Sequence, residues 1–178
     1  MPLRKRTLSF IRSIGFFLLF LLLAGCAGQA FTSKGSWIEK DDRISLQNNE
    51  SHQGNWKTRD VDIEYTCQRE TQNLQISGIV TLDDYLVNGF STLDNFRLHM
   101  YALDAGGVVL DSQSLCFFGH GRSLGYPGKM TFHRQLALPA DTAAITFGYS
   151  GRVFDASKDS EGKVNWSFWK RPVPQPVE

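Results

Sequence analysis

The chain has 178 residues, of which 42% are hydrophobic and 21% charged, with 19 basic and 18 acidic side chains. Four of the basic residues, Arg4, Lys5, Arg6 and Arg12, lie before residue 26, so the remainder carries 15 basic against 18 acidic residues, a formal net charge of −3. That sign excludes nucleic acid as the expected partner, because binding a phosphate backbone needs a basic surface.

In chain order, residues 1–25 read as a removable leader. A basic start is followed by an apolar run from Phe16 to Leu23 and then by the small residues Ala24 and Gly25, the order of a secretory signal peptide. A spanning helix needs about 20 apolar residues, and this run is shorter. Leu23-Ala24-Gly25-Cys26 resembles a bacterial lipobox. The resemblance implies cleavage before Cys26, lipidation of that residue, and attachment to a membrane of the cell envelope. Ala27 follows; in lipoproteins of this kind an aspartate there favours the inner membrane, so the resemblance implies the outer membrane. The mature chain offers no polybasic patch, so its lipid must do the anchoring, and stable anchoring takes more than one acyl chain. The triacylated cysteine that the resemblance implies would provide them. The competing reading is a short anchor helix with a chance cysteine at its end.

Residues 26–54 read as the lipidated cysteine and a tether. Residues 27–35 are small and polar. Trp37, Ile38, Ile44 and Leu46 suggest a short hairpin around Asp41 and Asp42, and the polar stretch 47–54 reads as loop. From 55 to 170 the pattern has period two. Val61, Ile63, Tyr65 and Cys67 alternate with polar residues, then Leu74, Ile76, Val80 and Leu82 do the same. Phe96, Leu98, Met100 and Ala102 oppose Arg97, His99 and Tyr101. The turn at Asp104–Gly107 supplies the positive φ that a hairpin wants. Strands are expected over 108–118, 132–138, 143–149 and 164–168. The proline-rich tail 171–178 favours an extended form. Strands at such spacing, with no long amphipathic helix, predict an all-β, antiparallel β-sandwich. The hairpin over 93–116 resembles the middle of immunoglobulin-like or fibronectin-type bacterial envelope domains, which implies an immunoglobulin-like arrangement and no particular activity.

Apart from Cys26, the cysteines are Cys67 and Cys116. In an oxidising compartment they are expected to form a disulfide, with two buried free thiols as the alternative. No CxxC spacing and no neighbouring histidine supports a metal site, and no cofactor is expected. Gly121-Arg122-Ser123-Leu124-Gly125 matches G-x-S-x-G, the nucleophile elbow of hydrolases, which needs a strand before the serine and a helix after it. Gly125 to Gly128, with Pro127, cannot start that helix, and a chance match in a glycine-rich loop is the better reading. The loop 117–129 nonetheless carries His120, Arg122, Tyr126 and Lys129, residue types suited to an interface or a sugar. Asp155 to Gly162 has oxygen ligands at alternate positions but departs from a calcium loop at Ser160 and Trp166. It reads as a polar turn. Trp166, in phase with Phe168, is expected in the core. Trp169 points the other way, towards edge packing or a partner.

Three functions compete. The first is a lipid-anchored, non-enzymatic β-sandwich that binds another envelope protein. The second is a glycan or cell-wall binding module using Tyr126 and Trp169. The third, more distant, is a serine hydrolase built on Ser123 with His120 or His133. An apolar patch near loop 117–129 favours the first, and a groove lined by aromatics and carboxylates favours the second.

Overall fold

The computed structural model describes residues 33–119, 121–124, 130–155 and 165–174. Cys26, His120, Tyr126 and Lys129 therefore lie outside the described residues, as does most of the 155–162 turn. The described strands begin with β1 (Ile44–Ser45), β2 (Ser51–Lys57), β3 (Val61–Glu70), β4 (Asn73–Leu82) and β5 (Thr92–Leu103). They continue with β6 (Val109–Phe118), β7 (Arg122–Ser123), β8 (Met130–Ala137), β9 (Ala144–Phe154) and β10 (Asn165–Lys170). A short helix, α1 (Asp84–Gly89), links β4 to β5.

The strands make two antiparallel sheets, and the fold is an all-β sandwich. One sheet has the order β2-β3-β4-β8. The other has the order β1-β9-β5-β6, with β10 also paired to β9 and β7 to β5. Chain order thus sets β3, β4 and β8 against β5, β9 and β10, the A-B-E and C-F-G division of an immunoglobulin-like sandwich.

Alternation decides which face each strand buries, since successive side chains point to opposite sides. Val61, Ile63, Tyr65 and Cys67 of β3 are buried, as are Leu74, Ile76, Val80 and Leu82 of β4. Phe96, Leu98, Met100 and Ala102 of β5 meet them from the other sheet. Phe147 of β9 sits at the centre, 2% exposed. Trp56, Tyr65 and Phe132, from three strands of the opposite sheet, approach it edge-on with centroids at 5.6, 5.2 and 6.4 Å. Edge-to-face geometry suits the ring quadrupoles and adds to the hydrophobic gain of burying them.

Polar contacts lock one end of the sandwich. Tyr149 Oη of β9 donates to Asp60 Oδ2 at 2.8 Å, and Tyr85 Oη of α1 donates to Asp60 Oδ1. Thr58 Oγ1 lies 3.0 Å from Tyr149 Oη. The β2–β3 turn is thereby tied to the facing sheet and to the helix. Asp83 starts that helix by accepting from the Tyr85 N–H at 3.1 Å, as an N-cap does, and Leu86 is fully buried beneath it. Asp83 and Asp84 are thus the N-cap and the first residue of that helix.

Four expectations are corrected. Trp37, Ile38, Ile44 and Leu46 do not form a hairpin with one another. Lys40–Asp42 is a single 3-10 turn, Trp37 bridges Val108 and Val173, and β1 pairs with β9. Residues 51–54 are not loop but the start of edge strand β2, where Ser51, His52 and Gln53 have no apolar alternation to reveal them. Trp166 is in the core-facing register with Phe168, but it lies near the start of edge strand β10 and remains 45% exposed. The fourth correction is the disulfide: Cys67 and Cys116 are both free and buried.

The topology explains why the thiols do not meet. Cys116 lies on β6, which packs over β8: Arg134 Nε donates to Leu115 O at 2.9 Å, and Gln113 Nε2 donates to Ala137 O at 2.7 Å. Cys67 lies on β3, with β4 between it and β8. Two strand spacings are about 10 Å, and the sheets themselves stand about 10 Å apart. A disulfide needs Cα atoms within about 7 Å.

Candidate functional site

The outer face of the six-stranded sheet places one row of residues in line across four strands. Phe117 of β6 is opposite Arg97 of β5, Arg97 is opposite Ser150 of β9, and Ser150 is opposite Trp169 of β10. Three strand spacings put the ends of this row about 14 Å apart. Phe117 is 54% exposed and Trp169 is 62% exposed. Arg97 lies between them, its guanidinium 5.0 Å from the centroid of the Phe117 ring. Ser150 leaves the middle of the row low. The result is a shelf with an aromatic group at each end and a cation over one of them.

Neighbouring rows flank it with further ionisable side chains. His99, one row along, faces Gly148 of β9 and Ser114 of β6. Burial holds its imidazole below the ordinary histidine range, and the charges of Arg97 and Arg171 push it further the same way. His99 is therefore neutral at pH 7, and the local positive charge comes from the arginines. On the other side of the row, Arg152 pairs with Asp94, which is 3% exposed. Asn95, in a left-handed conformation with φ 52°, donates to the same carboxylate at 3.0 Å. Asn tolerates that conformation better than most residues. It occurs where the β5–β9 register shifts, between Asp94 and Arg97, so the irregularity borders the shelf.

The beginning of loop 117–129 is anchored next to this row. The Asn95 N–H donates to Gly119 O at 2.8 Å, and β7 pairs Arg122 with Leu93 and Ser123 with Thr92. Of Arg122 only the backbone is described. Trp169, the one candidate binding residue whose side chain is described, does face outward. Arg97 and Phe117 were legible only as an outward-facing position and a loop boundary. Cross-strand register was the missing information.

The hydrolase constellation does not assemble among the described residues. Ser123 lies on β7 at the six-stranded sheet, whereas His133 lies on β8, opposite Ser77, in the other sheet. Asp155, the first residue of the acidic turn, accepts from Ser91 Oγ at 3.3 Å. No cluster of three metal-ligating side chains occurs among the described residues.

A cavity of about 220 Å³ opens beside the edge of β9 that β1 and β10 share, lined in part by Trp37, Phe147 and Val173. Lys170 Nζ donates to Asp42 Oδ1 at 2.8 Å there and stands 5.3 Å over the Trp56 ring, which makes this pair a side-chain strut between β10 and the segment before β1.

No protein-family model matches the chain, and no curated protein matches it in sequence.

Proposed function

We propose that this protein is a non-enzymatic binding module, lipid-anchored through Cys26 in the bacterial cell envelope, that docks another envelope protein on the outer face of its six-stranded sheet. The observation carrying this reading is the row Phe117, Arg97, Ser150 and Trp169. Trp and Arg dominate the energetics of protein interfaces, and Phe is enriched in them. An exposed Phe with an Arg over its ring at the border of loop 117–129 favours a protein partner over a sugar. Arg97 and Arg171 on or beside this face, in a mature chain of net charge −3, favour a partner with an acidic, apolar-edged surface. Placement at the outer membrane rests on the lipobox resemblance and Ala27.

The test is a photo-crosslinker at Trp169 in full-length, lipidated protein in intact cells, with a control at exposed Glu70. One recurring protein adduct is expected, and Arg97→Glu is expected to abolish it. A hot-spot aromatic contributes about 2 kcal/mol or more, so Phe117→Ser is expected to weaken binding about thirtyfold. Glycan adducts at Trp169, or none above the Glu70 control, would refute the proposal.

A further inference from the structure

The opposite face of the sandwich has a different chemistry. Across the outside of the four-stranded sheet, Gln53, Thr66, Ser77 and His133 form one cross-strand row, and Glu64 stands opposite Ile79 in the next. The row on the other side holds Ser51 and three glutamines. These three central rows contain no lysine or arginine, although 21% of the chain is charged. A merely solvated sheet face ordinarily mixes charges of both signs. Among the described residues an ion pair occurs here only at one end, between Lys57 and Asp62 at 3.7 Å.

This face is also concave. A groove of about 670 Å³ crosses β2, β3 and β4, lined in part by Gln53, Glu64, Thr66, Ser77 and Ile79. Behind it, Gly54 and Gly78 both pair with Tyr65. Rings from the core press against them: a Cβ on Gly54 would lie 2.5 Å from Tyr65 Oη, and one on Gly78 would lie 2.7 Å from Phe132 Cζ. The side chains of Gln53, Glu64, Thr66 and Ser77 make no hydrogen bond to any described residue. Their donors and acceptors all remain available to a ligand.

We propose that this groove binds an uncharged glycan chain built of N-acetylhexosamine units. Thr66 and Ser77 each donate and accept, as sugar hydroxyls do. The Glu64 carboxylate accepts from an acetamido N–H, the Gln53 amide donates to its carbonyl, and half-buried Ile79 offers apolar contact to its methyl group. With no cation in the central rows, the groove has nothing to neutralise an anionic polymer. This inference is independent of the docking row, which lies on the other sheet.

The test uses full-length lipidated protein in detergent micelles, saturation-transfer NMR, and chitohexaose as the probe. Maltohexaose, which lacks the acetamido group, is the comparison. Transfer to chitohexaose is expected, strongest at its acetyl methyls and well above that to maltohexaose. Removing one hydrogen-bonding partner is worth about tenfold in affinity, so Gln53→Ala and Glu64→Ala are each expected to weaken binding by about that factor. Ser77→Arg, which fills the groove, is expected to abolish it, whereas Lys34→Ala leaves it unchanged. The proposal is overturned if the wild type shows no transfer to chitohexaose, or equal transfer to both sugars. It is also overturned if Gln53→Ala and Glu64→Ala, both at exposed positions, bind as tightly as the wild type.

Discussion

Replacing Asp60 by alanine removes the acceptor shared by two tyrosines on different elements. Tyr149 Oη loses a 2.8 Å bond, and Tyr85 Oη loses its bond to the other carboxylate oxygen. Hydrogen bonds to a charged acceptor contribute about 1.5–3 kcal/mol each. Tyr85 and Asp60 are only half-buried, which places their bond at the low end of that range. Tyr149 is 3% exposed, but its proton can turn to Thr58 Oγ1, 3.0 Å away, so no hydroxyl is left orphaned. Together these terms give a loss of about 3 kcal/mol, or roughly 10 °C in Tm for a domain of this size. Urea unfolding with an unchanged m-value would measure it. A double-mutant cycle with Tyr149→Phe is expected to show a coupling of about 1–2 kcal/mol. Spectroscopy gives an independent readout. Tyr85 is pushed up to about 12, first by burial and then by the hydrogen bond and charge of Asp60. Ultraviolet titration of Asp60→Ala is therefore expected to show tyrosine ionising at lower pH than in the wild type. A variant within 0.5 kcal/mol of wild type, or strict additivity with Tyr149→Phe, would refute the idea that Asp60 ties the two sheets together.

Thiol reagents are expected to label both Cys67 and Cys116 in denatured, unreduced protein and to react slowly with native protein at pH 8; a requirement for reductant would contradict the free thiols. Burial pushes both thiols up to about 11 from an ordinary value of 9. The unfolded chain therefore releases these protons first, and the stability they contribute, full below pH 9, is lost as pH rises through 11. Urea midpoints measured across that range check the sign. Gly148→Ala would place a Cβ 2.6 Å from Tyr101 Cε2 and 2.8 Å from Lys170 O. That overpacking is expected to cost about 1–3 kcal/mol, and a neutral effect on urea unfolding would contradict the close approach of β10 to β9. Cys26→Ser is expected to leave an unprocessed, unacylated precursor, visible as a mobility shift and as loss of labelled fatty acid; normal acylation would contradict the lipobox reading.

Sequence alone determined the elements whose burial is one-sided. Residues 61–67, 74–82 and 96–102 alternate because each strand has one face in the core, and period two records that directly. The turn at 104–107 was legible because Gly107 needs a positive φ, 88° in the structure. The helix Asp84–Gly89 was missed because it is short and shows one buried residue, Leu86. Strand β2 was half missed because an edge strand of polar residues has no apolar face to reveal it.

Tertiary structure decided everything that depends on which strands become neighbours. Cys67 points inward as its alternation implied, and Cys116 is buried as well, but strand order placed them on β3 and β6, too far apart to bond. The same order put Phe117, Arg97, Ser150 and Trp169 in one row, although they span more than fifty residues of chain. Alternation along a strand is local and survives in the sequence. Register between strands is set by the packing of the whole core, so two residues that share a face need leave no trace of each other in the chain.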